Sequence, residues 1–283
     1  MKIMLSRFGY FILKLLSKLP LSLLYIISNF FYFLLYNVTK YRKNTVFENL
    51  KNSFPEKNET EINDIAKKYY RYLSQLIIET VKGFSLDRVN LMKMVKEGNS
   101  SEVLNALYVQ NESAIVVMPH YGNWEILCKS APLYLKHEIL GAYKPLKDKY
   151  FDAKIKESRE EFGTNMVPME EVLRAIKTCS KPYLLVLIAD QSPSNNKGCD
   201  WVQFLNQDTA MIMGAEKLSH KYDLKTFYIE ATPIKKGEYQ INLNYLGKGK
   251  EFSQKDFFNL LEKSIIQQPE YWLWSHRRWK HKR

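Results

Sequence analysis

The chain has 283 residues, of which 46% are apolar and 25% are charged. This composition excludes an intrinsically disordered protein, because so many apolar residues can bury a core. The formal net charge of +12 indicates an anionic partner, which could be nucleic acid, an anionic lipid surface, a phosphorylated substrate or an acidic carrier protein. Cys128, Cys179 and Cys199 are odd in number and widely spaced, which predicts reduced thiols and neither a disulfide framework nor a zinc site.

Near the amino terminus, an uncharged segment runs from Leu19 to Thr39. Its 21 residues are about the length that crosses a hydrocarbon core. Basic residues flank it on both sides, so the positive-inside rule assigns no orientation, and an interfacial helix has the same pattern. We therefore predict a membrane-anchoring or interfacial helical segment over residues 1–45, with a buried core hairpin as the alternative. No small-x-small cleavage site follows the segment, which argues against a secretory signal peptide.

The rest of the chain, residues 46–283, has the pattern of an α/β domain. Asn58 can cap a helix with Glu61 three positions later, and an apolar stripe follows at helical spacing. Short apolar runs then alternate with helical patterns, which predicts a mostly parallel sheet covered by helices. The last two runs are close together, which favours an antiparallel hairpin at the sheet edge. The runs begin at residues 114, 139, 183, 226 and 239, and the predicted helices cover residues 123–136, 151–161, 168–178 and 209–222.

The stretch SAIVVMPHYGNWEI ends a predicted buried strand at His120 and has Glu125 five positions later. On a continuous helix these side chains would be about 140° apart. Across a strand-to-helix turn, Glu125 could hold one ring nitrogen of His120 while the other accepts a proton from a hydroxyl. Gly122 and Asn123 between them permit a close backbone approach, and free amides at the start of the following helix could stabilise an oxyanion. The alternative is a helix-entry histidine and a first-turn carboxylate without a catalytic role.

Asp190 follows another predicted buried strand, in the sequence YLLVLIADQSP. Ligands of open α/β sheets bind beyond the carboxyl ends of the strands, and neighbouring strands lie about 4.8 Å apart. We therefore expect His120 and Asp190 to line one pocket, although a cap or turn residue is the alternative for Asp190. The chain has no H-E-x-x-H motif, and neither a metal nor a cofactor is expected.

Four stretches together resemble the lipid A biosynthesis acyltransferases of Gram-negative bacteria, the late lauroyl- and myristoyl-transferring enzymes. They are YRKNTVFENLKNSFPE, MPHYGNWE, LIADQSP and WLWSHRRWK, and the resemblance covers nearly the whole chain. It implies a glycerolipid-acyltransferase-like fold and makes His120 and Glu125 the catalytic H-x-x-x-x-E pair. Glycerolipid acyltransferases usually have Asp in the second position, so Glu125 favours the lipid A branch.

The same resemblance implies a set of substrate contacts. Arg159 matches an arginine of the family's basic block, and Lys144 stands where many members have arginine. Asp190 matches the family's D-Q block, and Asn123 in the turn completes the predicted substrate-binding set. Residues 204–206 read Phe-Leu-Asn where members usually have Phe-Phe-Gly, a departure that bears on the acyl pocket or the acceptor fit. Without the resemblance, Lys144 and Arg159 would be interpreted as solvated surface charges.

The resemblance implies an O-acyltransferase that moves a fatty acyl group from an acyl carrier protein thioester to a hydroxyl of a lipid A precursor. His120 would be the general base, Glu125 would orient it, and no acyl-enzyme would form. The enzyme would lie at the bacterial inner membrane with its catalytic domain facing the cytoplasm. The alternatives are an acyltransferase acting on a glycerophospholipid or aminolipid, with coenzyme A or carrier-protein donors, and a catalytically silent membrane-binding relative.

The carboxyl terminus carries a basic cluster, His276–Arg283, with Trp272 and Trp274 just upstream. Basic residues interleaved with aromatic ones suit either nucleic acid or anionic headgroups. The apolar N-terminal segment is present and no nucleic-acid motif is found, so we predict that the cluster faces anionic lipid and that nucleic acid is not a partner.

Overall fold

The computed structural model describes residues 2–195 and 199–283. Within them, helices and strands alternate along most of the chain. The α-helices are α1 (Lys2–Ser17), α2 (Leu21–Phe33), α3 (Lys43–Ser53), α4 (Glu59–Gly83), α5 (Arg88–Met94), α6 (Ser100–Val109), α7 (Trp124–Tyr134), α8 (Lys149–Glu160), α9 (Val172–Thr178), α10 (Gly214–Tyr222) and α11 (Gln254–Gln267), and a π-helical turn, Leu34–Val38, continues α2. The strands are β1 (Val95–Lys96), β2 (Ala114–Met118), β3 (Glu138–Tyr143), β4 (Thr164–Pro168), β5 (Tyr183–Ile188), β6 (Trp201–Phe204), β7 (Gln207–Ala210), β8 (Lys225–Lys235) and β9 (Glu238–Lys248).

Most of the strands belong to one sheet, which has the order β1-β9-β8-β2-β5-β3-β4 in the described chain. Only the neighbours β8 and β9 are antiparallel, and the other pairs are parallel. The predicted α/β fold with a mostly parallel sheet is therefore confirmed. The predicted hairpin is also present, but β1 pairs with the outer side of β9, so the hairpin does not form the sheet edge.

The sheet is covered on both faces by apolar side chains. Successive residues of β2 alternate between two clusters, because side chains along a strand point to opposite faces. One cluster includes α4, α11 and the C-terminal segment, and the other includes α5, α6 and α7. The central strand β2 is buried along its whole length, and the chain continues from its carboxyl end to His120. That end carries the polar residues described below.

The predicted helix over 209–222 is wrong at its start. Residues Gln207–Ala210 form β7, which pairs with β6 in an antiparallel hairpin, and α10 begins only at Gly214. The turn residues Leu205 and Asn206 both have positive φ, 49° and 61°, as in a two-residue hairpin turn that matches the strand twist. Short strands such as β4 and β7 carry little apolar sequence, which explains why the pattern does not reveal them.

The N-terminal helices expose apolar side chains. The segment Leu21–Val38 is long and apolar enough to cross a membrane, and 17% of it is buried. α2 packs along α4, while α1 contacts α4 and α8. A buried core hairpin does not fit these helices, because their outward faces remain uncovered. The large apolar residues exposed on them include Phe8, Phe11, Ile12 and Leu15 on α1 and Leu23, Ile26, Phe30 and Phe33 on α2.

The C-terminal segment differs from its prediction. Trp272 and Trp274 are 3% and 0% exposed, and Arg278 is 2% exposed. The two indoles belong to the core cluster on one face of the sheet, where large aromatic rings bury much apolar area. The prediction that this segment faces headgroups is therefore wrong for its buried residues. Its exposed basic residues are Arg277, Lys280, Lys282 and Arg283.

Candidate active site

His120 and Asp190 lie just beyond two adjacent parallel strands. β2 ends at Met118 and β5 ends at Ile188, and the strand register pairs these two residues. The side chains two positions later therefore leave the sheet side by side. His120 Nδ1 lies 2.7 Å from Asp190 Oδ1, and the His120 backbone N–H donates to Asp190 Oδ2 at 3.0 Å. The carboxylate thus holds both the ring and the backbone of the histidine.

Asp190 is ionised in this position. Asp190 is 2% exposed, and burial alone would raise the pKa of its carboxyl group. The His120 ring, the indole N–H of Trp272 and the His120 backbone N–H nevertheless hold the pKa of Asp190 below its usual range. An ionised carboxylate can only accept, so His120 Nδ1 carries a proton and Nε2 is the ring acceptor in the neutral imidazole.

The second ring nitrogen of His120 faces a polar side chain. Gln191 Nε2 lies 3.1 Å from His120 Nε2, and the Gln191 amide can donate to that nitrogen. The ring also meets Trp124 edge to face, with 4.9 Å between the ring centroids. A substrate hydroxyl that uses Nε2 as a base must therefore displace the Gln191 amide.

Glu125 lies in the first turn of α7 but does not orient His120. Arg159 of α8 holds the Glu125 carboxylate through two hydrogen bonds, Nε to Oε2 at 2.9 Å and Nη2 to Oε1 at 2.6 Å. Such a bidentate pair occupies both carboxylate oxygens. In the described residues, the expected hydrogen bond between Glu125 and His120 is absent, and that part of the prediction is wrong. Asp190 occupies the position behind the ring that the prediction assigned to Glu125.

The turn between His120 and α7 requires glycine. Gly122 has a φ of +63°, and a β-carbon there would lie 1.7 Å from the Ala231 carbonyl oxygen. The Gly122 N–H donates to the Tyr271 carbonyl at 3.0 Å, and the Asn123 N–H donates to the Ala231 carbonyl at 3.2 Å. These two amides are therefore engaged with backbone carbonyls and are not available to an oxyanion.

Asn123 is a helix cap. It is 0% exposed, and its Oδ1 accepts the Ile126 N–H at 3.0 Å while its Nδ2 donates to Glu79 Oε2 at 2.7 Å. These contacts occupy both ends of its amide, so Asn123 is a buried residue that supports the turn. Glu79 also accepts the hydroxyls of Tyr25, at 2.7 Å, and Tyr239. Burial raises the pKa of Glu79, although these hydrogen bonds oppose the shift.

An apolar cavity of about 350 Å³ lies between α1, α4, α7 and α8. Glu125 and Arg159 form part of its wall, together with Lys129, which is 5% exposed and bonded to Glu161 at 2.7 Å. The cavity therefore joins a charged wall to an apolar interior. Among its apolar lining residues are Leu13, Ile77, Val81, Phe84, Leu91, Phe151 and Ile155.

The remaining predicted positions lie apart from this cavity. Lys144 follows β3 and is exposed to solvent, close in sequence to the exposed Lys147 and Lys149. The turn 204–206 packs against α3 and α11, since Asn206 Nδ2 donates to the Ser53 carbonyl and Leu205 N–H donates to Glu262. The departure from Phe-Phe-Gly thus falls in a hairpin turn and not in the cavity wall. Within residues 2–195 and 199–283, no cluster of three or more His, Cys, Asp or Glu side chains could hold a metal ion.

Sequence reasoning missed three residues of this site. Trp272 and Gln191 contact the His120–Asp190 pair, and Glu79 supports the turn. Gln191 could have been found, because it directly follows Asp190 at the strand end. Glu79 gave a weaker signal, a carboxylate within the apolar run of α4. No local pattern connects Trp272 with Asp190, which is 82 positions away.

The fold and site together define a class of protein. An imidazole with an ionised carboxylate behind it, an apolar cavity and outward apolar helices suit base-assisted chemistry on a lipid-like substrate. The chain matches the family described as bacterial lipid A biosynthesis acyltransferase over residues 1–281 and belongs to that family. This match confirms the resemblance and identifies a membrane-associated type of acyltransferase with a lipid substrate. Comparison with individually curated proteins gives no match.

Proposed function

We propose that the protein transfers a fatty acyl group from an acyl carrier protein thioester to a hydroxyl of a lipid A precursor. The observation that carries this proposal is the 2.7 Å contact between His120 Nδ1 and Asp190 Oδ1. It makes Nε2 the ring acceptor, and the partner of Nε2 in the described structure is the Gln191 amide, which is not a nucleophile. The attacking hydroxyl therefore comes from the acceptor lipid.

The proposed reaction is a direct transfer. The acceptor hydroxyl loses its proton to His120 Nε2 while its oxygen bonds to the thioester carbonyl carbon. The C–S bond then breaks, and the imidazolium returns the proton to the leaving thiolate. Burial raises the pKa of Cys128 and of Cys179 to about 11, so neither thiol is a competent nucleophile for an acyl-enzyme. General base assistance of this kind contributes about 10² to 10⁴ in rate.

The cavity is the proposed site for the acyl chain. Each methylene buried there contributes about 0.8 kcal/mol to binding, which favours a long chain over a short one. Arg159 uses two of its N–H groups on Glu125, and its remaining donors are proposed to bind the thioester carbonyl or a phosphate of the acceptor. Glu125 acts here by fixing the guanidinium.

Two surfaces are proposed to bring the substrates together. The outward faces of α1 and α2 would lie in the bacterial inner membrane, with residues 46–283 facing the cytoplasm, where carrier-protein thioesters are made. Lys144, Lys147 and Lys149 are exposed after β3 and would attract an acidic carrier protein. Residues 1–45 are assigned to membrane attachment, although Leu13 of α1 also lines the cavity.

The proposal is tested first by mass spectrometry of lipid A from cells that lack the protein. We expect lipid A species that are one acyl group lighter, and restoration by the wild type but not by His120→Ala. Purified enzyme is then assayed with carrier-protein and coenzyme A donors. Unchanged lipid A with an altered glycerophospholipid or aminolipid would favour the alternative acceptor, and transfer from coenzyme A alone would overturn the donor assignment. Full complementation by His120→Ala would indicate a silent relative.

A further inference from the structure

The C-terminal segment is built into the turn that carries His120. Trp272 forms an antiparallel bridge with Tyr121. The Tyr271 carbonyl accepts the Gly122 N–H at 3.0 Å, and the Leu273 N–H donates to the His120 carbonyl at 3.2 Å. Backbone bonds on both sides of Trp272 thus connect it to the catalytic turn, so the position of its side chain is fixed relative to the site.

The side chain of Trp272 completes the shell around Asp190. Its indole Nε1–H donates to Asp190 Oδ2 at 2.9 Å, the same oxygen that accepts the His120 backbone N–H. The other oxygen, Oδ1, contacts His120 Nδ1. Without the indole, Oδ2 would keep a single donor, and the carboxylate plane would be less strongly held against the imidazole.

Trp272 has little freedom to move. It is 3% exposed, and aromatic rings contact it on several sides, with centroid distances of 4.8 Å to Trp274, 5.7 Å to Phe204 and 5.8 Å to Trp279. A donor held in this way is oriented before substrate binds and loses no further conformational freedom during the reaction.

We propose that Trp272 is a positioning residue for catalysis, which acts by holding the Asp190 carboxylate in the plane that orients His120. This inference rests on the proposed function, because it assumes that His120 is the general base. It assigns a role in the chemistry to a segment whose sequence alone suggested contact with lipid headgroups. The role depends on one N–H group and not on the bulk of the ring.

The sign of the pH effect follows from the charges around Asp190. The indole N–H helps to keep the pKa of Asp190 low, so its removal raises that pKa. With the indole donor gone, the Asp190 carboxylate keeps more of its negative charge toward the His120 ring and stabilises the protonated imidazole more strongly, so the acid limb of the rate profile moves to higher pH. The other titratable groups that act on Asp190 are His120, His276 and Arg278. Burial lowers the pKa of His276 to about 4 and that of Arg278 to about 10, so near pH 7 His276 is neutral and Arg278 is charged.

The test compares Trp272→Phe with Trp274→Phe in the full-length enzyme. Trp274 is a matched control, because it is 0% exposed in the same segment but its indole donates to the Pro269 carbonyl at 2.6 Å. We expect Trp272→Phe to lower kcat about tenfold, as for the loss of one hydrogen bond to a charged group, with KM unchanged. The acid limb of kcat should move to higher pH in Trp272→Phe and stay in place in Trp274→Phe.

A double-mutant cycle with Asp190→Asn separates positioning from packing. If the indole acts through the carboxylate, Trp272→Phe should lower kcat by a much smaller factor in the Asp190→Asn background than in the wild type. Equal costs in both backgrounds, or equal pH profiles for Trp272→Phe and Trp274→Phe, would overturn the inference. His120→Ala is measured alongside, because its full activity would reject the proposed function itself, whereas its inactivity leaves the result on Trp272 decisive.

Discussion

The carboxyl edge of the sheet and the N-terminal side of the molecule are built by different means. At the sheet edge, His120 and Asp190 are surrounded by directional hydrogen bonds from buried donors. On the N-terminal side, α1 and α2 carry exposed apolar side chains, and the neighbouring cavity is lined mainly by aliphatic and aromatic groups. Hydrogen bonds fix atoms to within tenths of an ångström, whereas apolar contacts are non-directional. The carboxyl edge of the sheet therefore suits chemistry that needs fixed atoms. The N-terminal side suits contact with flexible lipid chains.

The largest effect is expected at the carboxyl edge of the sheet, from a substitution at Gly122. Replacement by alanine would place a β-carbon 1.7 Å from the Ala231 carbonyl oxygen in a backbone conformation with positive φ. We expect Gly122→Ala to abolish acyl transfer and lower Tm, because the turn would have to move and lose its backbone hydrogen bonds to the Ala231 and Tyr271 carbonyls.

Gly214→Ala is the control for that experiment, since an added β-carbon there would meet nothing within 4 Å. It lies at the start of α10, and its activity should equal that of the wild type. Wild-type activity in Gly122→Ala would show that the turn geometry is not required.

A smaller effect is expected at the junction of the two regions, where Glu79 receives donors from Tyr25 of α2 and Asn123 of the turn. Glu79→Gln replaces one acceptor oxygen by an NH₂ group that faces these donors. We expect a loss of about 1–3 kcal/mol in the free energy of unfolding, measured by denaturation in urea.

The pH dependence of stability also tests Glu79. Its folded pKa lies above the unfolded value, so the native state binds the proton more tightly, and stability falls as pH rises from the unfolded pKa through the folded one. Glu79→Gln should flatten that part of the curve, while Glu170→Gln, at an exposed residue, should leave it unchanged. An unaltered slope in Glu79→Gln would contradict the assigned shift.

The smallest effect on the stability of the fold is expected from substitutions on the exposed apolar faces of α1 and α2. Phe11→Ser and Ile26→Ser change side chains that are 57% and 66% exposed, so Tm should hardly change. Binding to anionic phospholipid vesicles should fall about tenfold or more for each, given about 1.5–3 kcal/mol for a buried large apolar side chain. Val109→Ser, at a residue that is 77% exposed on α6, is the control and should bind as the wild type does. Equal vesicle binding by all variants would show that α1 and α2 do not contact the bilayer.

Local sequence patterns predicted the elements that are long or strongly apolar. The strands at 114 and 183, the helix capped by Asn58 and the parallel topology are all present, because apolar periodicity and capping are local properties. The short strands β4, β6 and β7 were missed, since pairing with partners determines them more than their own sequence does.

The site was predicted in part, for the same physical reason. Strand ends brought His120 and Asp190 to one edge, as the parallel register requires. The partner of each carboxylate was not predictable, because Arg159 reaches Glu125 from a different helix and Trp272 reaches Asp190 from the far end of the chain. Spacing along the chain indicates which groups are near the turn, but only tertiary packing decides which pairs form.

The most direct test of the account compares Asp190→Asn and Glu125→Gln through kcat, KM and the pH profile of acyl transfer. If Asp190 is the partner of His120, Asp190→Asn should lower kcat by about 10² or more with little change in KM, and it should change the acid limb. Glu125→Gln should act through Arg159, raising KM and leaving the acid limb where it is. The opposite result, a displaced acid limb in Glu125→Gln and a wild-type profile in Asp190→Asn, would contradict the assignment of Asp190 as the carboxylate that orients the base.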